Sequence, residues 1–251
     1  MNIFLILAYL FFCGSLIGWV IELLYRRFLS KANPERKWIN PGFCIGPYIP
    51  LYGFGLCIFY LFACFEKHIL IENPFWRKGL LIILTTLSIT LVEYIAGLIC
   101  LKVFKVRLWD YSETKFNIQG LICPFFTLIW GVMSAIYLLF IHSYILDSLV
   151  WLSHNLTFTF VIGFFYGVFT VDVVYSSHLI AKIKAYAQEN EIVVKWEMLK
   201  ADIRNKAEKL GEKTPFLFPM KFYRLIIKRR KEDKKISDFE KENKNEKIIG
   251  N

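Results

Sequence analysis

Long apolar runs alternate with short polar, Gly- and Pro-broken ones over the first 181 residues. A helix needs about 20 mainly apolar residues to cross a bilayer. Five segments are expected as spans on that measure, at about 3–25, 49–66, 79–101, 121–141 and 156–179. Residues 143–155 are apolar too, but they are short for a span, carry Asp147 and contain Trp151. An interfacial position is expected for them, where tryptophan is favoured. The pattern predicts an all-α integral membrane protein.

From residue 182 the pattern changes. Residues 182–251 hold 19 Lys/Arg against 12 Asp/Glu, so most of the chain's net charge of +10 sits there. We therefore divide the chain into a transmembrane domain (1–181) and a basic cytoplasmic tail (182–251). Within the tail, a charged helix is expected over about 182–210. Lys221–Lys231 reads as a basic amphipathic stretch suited to an anionic leaflet. The Lys/Glu/Asn-rich end reads as disordered. No nucleic-acid-binding motif accompanies the charge.

Lys/Arg counts orient the spans. The loops after the first and third spans hold five and four of them and the tail is rich, whereas the loop after the second span holds three (Lys67, Arg77, Lys78) and the loop after the fourth none. The N-terminus is expected outside and the tail inside. The first segment lacks a basic leader and a small-residue cleavage site, so it is read as a true span. The six cysteines form no CxxC pair and read as small buried apolar side chains. No cofactor or metal is expected.

Three acids fall within spans: Glu22, Glu93 and Asp172. An ionised acid at the bilayer centre costs about 2.5–3.5 kcal/mol on insertion scales, so such residues usually face the bundle interior and find partners. Glu93 is the deepest of the three, roughly two-thirds of the way across at 1.5 Å per residue. It has no basic residue within a turn. Glu22 lies one turn from Arg26 and can equally form a simple i,i+4 pair. Asp172 has Ser176 one turn on and His178 nearby, compatible with a structural or a functional acid. Trp19 and Tyr94 stand beside these acids. Metal-ligand spacing among the four histidines, GxSxG and HExxH are all missing, which argues against catalysis without deciding it.

Two connecting stretches stand apart. The first holds Pro41, Gly42, Gly46, Pro47, Pro50, Tyr52 and Gly53, a composition that bars regular helix before about residue 50. Irregular backbone at membrane depth is tolerated only when buried or lining a cavity, so a re-entrant loop and an ordinary surface turn both stay open. The second runs from Arg107 to Gly120. In it Asp110 lies between Trp109 and Tyr111, and Asn117 is placed to cap the next helix. Asp110 can bind a cation, latch the loop or pair with Arg107.

The halves echo one another. Gly42 to Gly53 and Gly120 to Gly131 have the same spacing, and each second glycine follows an aromatic, Tyr52 or Trp130. Each preceding span carries one glutamate, with Gly18 or Gly97 on the same face. A duplicated helix pair would explain this, and so would the general preference of helix starts for Asn, Pro and Gly.

Taken together, Gly18-Trp19…Glu22, Pro41-Gly42-Phe43…Gly46-Pro47…Pro50…Tyr52-Gly53, Glu93-Tyr94…Gly97, Trp109-Asp110-Tyr111-Ser112 and Phe116-Asn117-Ile118…Gly120…Trp130-Gly131 resemble the bacterial ABC-transporter type IV (CmpB-type) membrane proteins. The resemblance covers roughly residues 8–140. It implies a permease-like transport component of a bacterial plasma membrane. The chain has no GxxxxGK[ST] phosphate loop, so a separate ATPase subunit would be needed, and five spans suggest a homodimer. Under this reading Glu22, Glu93, Asp110 and Asp172 surround a cytoplasm-facing polar cavity that binds a cation, a proton or a cationic solute. Two alternatives stand beside it: a non-catalytic sensor or scaffold holding a cytoplasmic partner, and an intramembrane lipid-modifying enzyme.

Overall fold

The computed structural model describes residues 1–30, 33, 36–42, 44–189 and 194–195, with side chains through residue 177. The chain divides into two units, Met1–Leu199 and Lys200–Asn251. The second lies outside the described residues, and with it the expected amphipathic stretch 221–231 and the expected disordered end.

Six helices build the described unit. They are α1 (Ile3–Phe28), α2 (Pro50–Phe65), α3 (Pro74–Leu98), α4 (Pro124–Ile136), α5 (His142–His154) and α6 (Thr159–Glu189). Their starts follow from the local sequence. The side chains of Asn2 and Asn73 accept from the N–H groups of Phe4 and Phe75 at 3.0 and 2.9 Å, each satisfying an orphan donor. Pro50, Pro74 and Pro124 occupy first-turn positions, where the missing N–H costs nothing. Arg26 and Arg27 close the last turn of α1, where positive charge complements the helix dipole.

Four helical runs are long and apolar enough to cross a membrane: Ile3–Phe28, Pro74–Val103, Pro124–His154 and Leu156–Ser177. The chain is a multi-pass membrane protein. By length and composition the second expected span, at about 49–66, does not qualify, because α2 has 16 residues. The stretch 143–155, expected as a separate interfacial piece, instead continues the fourth run. A π-type turn at Tyr137–Ile141 joins α4 to α5. Nothing between residues 132 and 162 is Gly or Pro, so no breaker stops the helix, and Asp147 alone does not.

Two departures concern the tail. Helix α6 passes unbroken through the expected boundary at 181/182. Within the helix expected over 182–210, α6 reaches Glu189 and a two-residue strand, β2 (Val194–Lys195), pairs in parallel with β1 (Val106–Arg107); the rest of that stretch lies outside the described residues. Val193 and Val194 follow Ile192, a β-branched run that favours strand over helix.

Packing is closest between α1 and α2. A methyl group on Gly18 would fall on the Tyr52 ring, and one on Gly53 would strike the Ser15 hydroxyl and Phe11. Small residues are what let the two backbones approach. One buried cluster joins α2, α3 and α4 through Phe59, Ala63, Ile89, Trp130 and Tyr137. Another joins α1, the first loop and α6 through Phe11, Cys44, Tyr48 and Phe165.

Candidate functional site

Two carboxylate centres organise the loops. The first is Asp172 on α6, 8% exposed. Its Oδ1 accepts from the Ile45 N–H at 3.1 Å and the Ser176 hydroxyl at 2.9 Å. Its Oδ2 accepts from the Gly46 N–H at 2.7 Å and from the Tyr48 hydroxyl. Four donors around one carboxylate satisfy its lone pairs. Burial, and then the bond to Asp172, raise the Tyr48 phenol above its ordinary value, which keeps it a donor. Burial and then the Asp172 charge push the Cys44 thiol up to about 12.

Asn40 fastens the same loop. Its Oδ1 accepts from Trp19 Nε1 at 2.8 Å and from the Gly42 N–H at 3.3 Å. Its Nδ2 donates to the carbonyls of Cys44 and Ile45 at 3.1 and 3.0 Å. The Pro- and Gly-rich stretch therefore has several of its backbone groups answered by Asp172 of α6, by its own Asn40 and by the Ser15 carbonyl of α1, which accepts from the Ile49 N–H, as irregular backbone beside membrane helices requires.

The second centre is Glu93 on α3, 3% exposed. Its Oε1 accepts from the Tyr111 hydroxyl at 3.1 Å, and its Oε2 accepts from Trp130 Nε1 at 2.9 Å. No cationic side chain bonds it among the described residues. The Tyr52 ring lies 5.6 Å, centroid to centroid, from Trp130, and its hydroxyl donates to Glu22 at 3.2 Å. Glu22 also pairs with Arg26 at 3.0 Å. The continuous chain Arg26–Glu22–Tyr52–Trp130–Glu93–Tyr111 thus crosses α1, α2, α4, α3 and the third loop, the connection between α3 and α4 at residues 104–123. In it Tyr52 serves Glu22 as Trp130 serves Glu93.

The third loop brings Tyr111 to Glu93 through a dense set of local bonds. Arg107 reaches Asp110 at 3.2 Å and the Gln119 carbonyl at 3.0 Å. Asp110 accepts from the Ser112 N–H at 3.1 Å and from the Ser112 hydroxyl. Asn117 donates to the Thr114 carbonyl and accepts from the Gly120 N–H, both at 2.8 Å. Gly120 adopts a φ of 67°, a conformation that glycine takes at little cost. Its carbonyl accepts from the Tyr111 N–H at 2.9 Å, and the Tyr111 ring stacks on Phe126 with centroids 4.3 Å apart. Trp109 Nε1 donates to the Leu121 carbonyl at 2.8 Å. Its ring lies against Gly97. Burial, and then the Glu93 charge, raise the Tyr111 phenol, so it remains protonated.

The residues singled out from sequence accordingly divide. Glu22 and Glu93 are joined by one network, which Tyr111 enters directly. Asp172 and Trp19 belong to the first-loop clamp. Asp110, Asn117 and Trp109 shape the third loop rather than face Glu93, and Asn117 does not cap α4 as its sequence position suggests, because that helix starts only at Pro124 with Cys123 as its N-cap. Tyr94 is half-buried and no described bond ties it to Glu93. Among the loop positions, Pro50 starts α2, Gly42 and Gly46 meet Asn40 and Asp172, and Gly131 lies against Thr86; Pro41 and Pro47 donate no backbone hydrogen bond, as prolines cannot. Tyr52 and Trp130 were read as structural markers, yet they are the donors to the two glutamates. Tyr48, Asn40 and Ser176 carried no site assignment. An aromatic with one polar tip, a few residues into an apolar helix, was the available signal for Tyr52 and Trp130.

Among the described residues no group of three or more His, Cys, Asp or Glu is placed to hold a metal ion. The family described as "Putative ABC-transporter type IV" matches residues 9–177. The chain belongs to that family. Its matched region takes in both carboxylate centres and runs from Tyr9 of α1 through the described side chains of α6. Comparison with curated proteins and with solved structures finds no match.

Proposed function

We propose that this family member is a permease-like transport component whose central acid is Glu93 and whose third loop covers it. The observation that carries the reading is the bonding of Glu93. A carboxylate buried in a membrane helix is costly and is usually functional. Here its two bonds come from neutral donors. Trp130 Nε1 can only donate, so it holds Oε2 as an acceptor. Tyr111 presents a hydroxyl, which donates to a carboxylate and equally accepts from a carboxylic acid. Oε1 is therefore the oxygen at which a proton or a cationic solute exchanges. Displacing Tyr111 opens Glu93 toward the end of the bundle where the loop lies.

With α2 read as the return crossing between α1 and α3, the charge count puts that end, and the tail beyond residue 181, in the cytoplasm. Energy would come from a separate ATPase subunit, and two copies would complete the pathway. Tyr52 and Trp130, meeting between two equivalent glutamates, support descent from a duplicated helix pair. The closed bonding of Glu93 also favours a second reading, a scaffold whose acid only fastens the third loop.

The test is affinity purification of the tagged, detergent-solubilised chain beside Glu93→Gln, with identification of co-purifying proteins and small molecules. The transport reading predicts an ATPase subunit with both forms and a solute with the wild type alone. A regulator retained by both, with neither ATPase nor solute, contradicts it and favours the scaffold.

A further inference from the structure

The third loop carries an apolar patch that its own network leaves uncovered. Phe116 is 85% exposed and Ile118 53%. Lys102, Lys105 and Lys115 are exposed on the same segment, with Glu113 as the one exposed acid there. Arg107 and Asp110 pair with each other and leave this surplus of positive charge unchanged.

The position of the loop decides what the patch meets. Tyr111 bonds Glu93, ten residues before the end of the helical run at Val103, about 15 Å along the helix axis at 1.5 Å per residue. Trp109 lies against Gly97, six residues before that end. The Trp109–Tyr111 part of the loop is therefore folded back beside the last turns of the span. Over those same turns Ile95, Ile99 and Val103 expose apolar side chains, as a lipid-facing helix does.

We propose that Phe116 and Ile118 insert into the headgroup region of an anionic leaflet, with Lys102, Lys105 and Lys115 on the lipid charges. Aromatic and apolar side chains flanked by lysines suit that layer, because the rings are buried while the ammonium groups stay at the charged surface. The inference stands on the third loop as a surface and does not depend on transport at Glu93. If both hold, lipid composition sets how readily the cover over Glu93 moves.

The test places a nitroxide at Phe116→Cys, and separately at Ile118→Cys, in the full chain reconstituted into lipid nanodiscs. Collision with oxygen is compared with collision with an aqueous nickel chelate, and the labelled wild type supplies the background from native cysteines. In phosphatidylglycerol-containing discs we expect oxygen to dominate at both positions. In phosphatidylcholine discs, or with Lys105→Gln and Lys115→Gln combined, nickel access should rise. Nickel-dominated collision in every disc would overturn the proposal and leave the patch to a protein partner. Oxygen-dominated collision indifferent to lipid charge would overturn it as well, because the lysines would then contribute nothing. Both probe positions are exposed, so neither substitution removes a packing contact of the core.

Discussion

Glu93 and Asp172 show how two acids of one bundle come to different ends. Asp172 has four donors, two of them backbone N–H groups of the first loop, and its task is to hold that loop. Glu93 has two, one per oxygen. Asp172→Asn replaces one of its two acceptor oxygens by an amide that donates, so one backbone N–H of the loop loses its partner, while the hydroxyl on the same atom can turn to accept. Hydrogen bonds to charged groups contribute about 1.5–3 kcal/mol each, so a loss in that range is expected, read as a lower midpoint of thermal or denaturant unfolding in detergent. The same clamp governs Cys44. A thiol held near 12 is almost wholly protonated at neutral pH, and the thiolate is the reactive form. Maleimide should therefore leave Cys44 unmodified in the folded wild type at pH 7 and react with it once Asp172→Asn releases the loop. Rapid modification of Cys44 in the wild type would contradict this account of the clamp.

At the scale of elements, much of the helical layout was legible in the chain. The spans announce themselves by apolar length, and Asn2, Asn73, Pro50, Pro74 and Pro124 mark their starts by local capping chemistry that needs no tertiary context. What misled was length arithmetic. Taken as a separate piece, residues 143–155 are too short to span and carry Asp147, but a single acid costs less than breaking a helix in lipid, and α4 runs on into α5. Which acid would meet which loop was not legible, because Ile45, Gly46 and Tyr48 lie more than 120 positions from Asp172. Such pairings arise only from helix packing. The α1–α2 contact is the most sensitive of these. Gly18→Ala would drive a methyl into the Tyr52 ring and push its hydroxyl off Glu22. Overpacking of this kind costs about 1–3 kcal/mol. Reduced stability is the expected result, with Gly163→Ala as a control at a position where an added methyl meets nothing within 4 Å.

For the whole molecule, the polar network and the third loop form one arrangement. Helices α1–α4 supply a path of bonds and ring contacts from Arg26 to Glu93, and the loop closes it with Tyr111. In the transport reading, Tyr111 covers an acid able to exchange. Dicyclohexylcarbodiimide, which modifies protonated carboxyl groups from within the bilayer, tests it directly. The adduct on the Glu93 peptide would be followed by mass spectrometry in native membranes, for the wild type and Tyr111→Ala, with Glu93→Gln as the blank. We predict slow modification in the wild type, several-fold faster modification in Tyr111→Ala and none in the blank. Equal rates in the wild type and Tyr111→Ala would contradict the account, because Tyr111 would then not be the cover over Glu93.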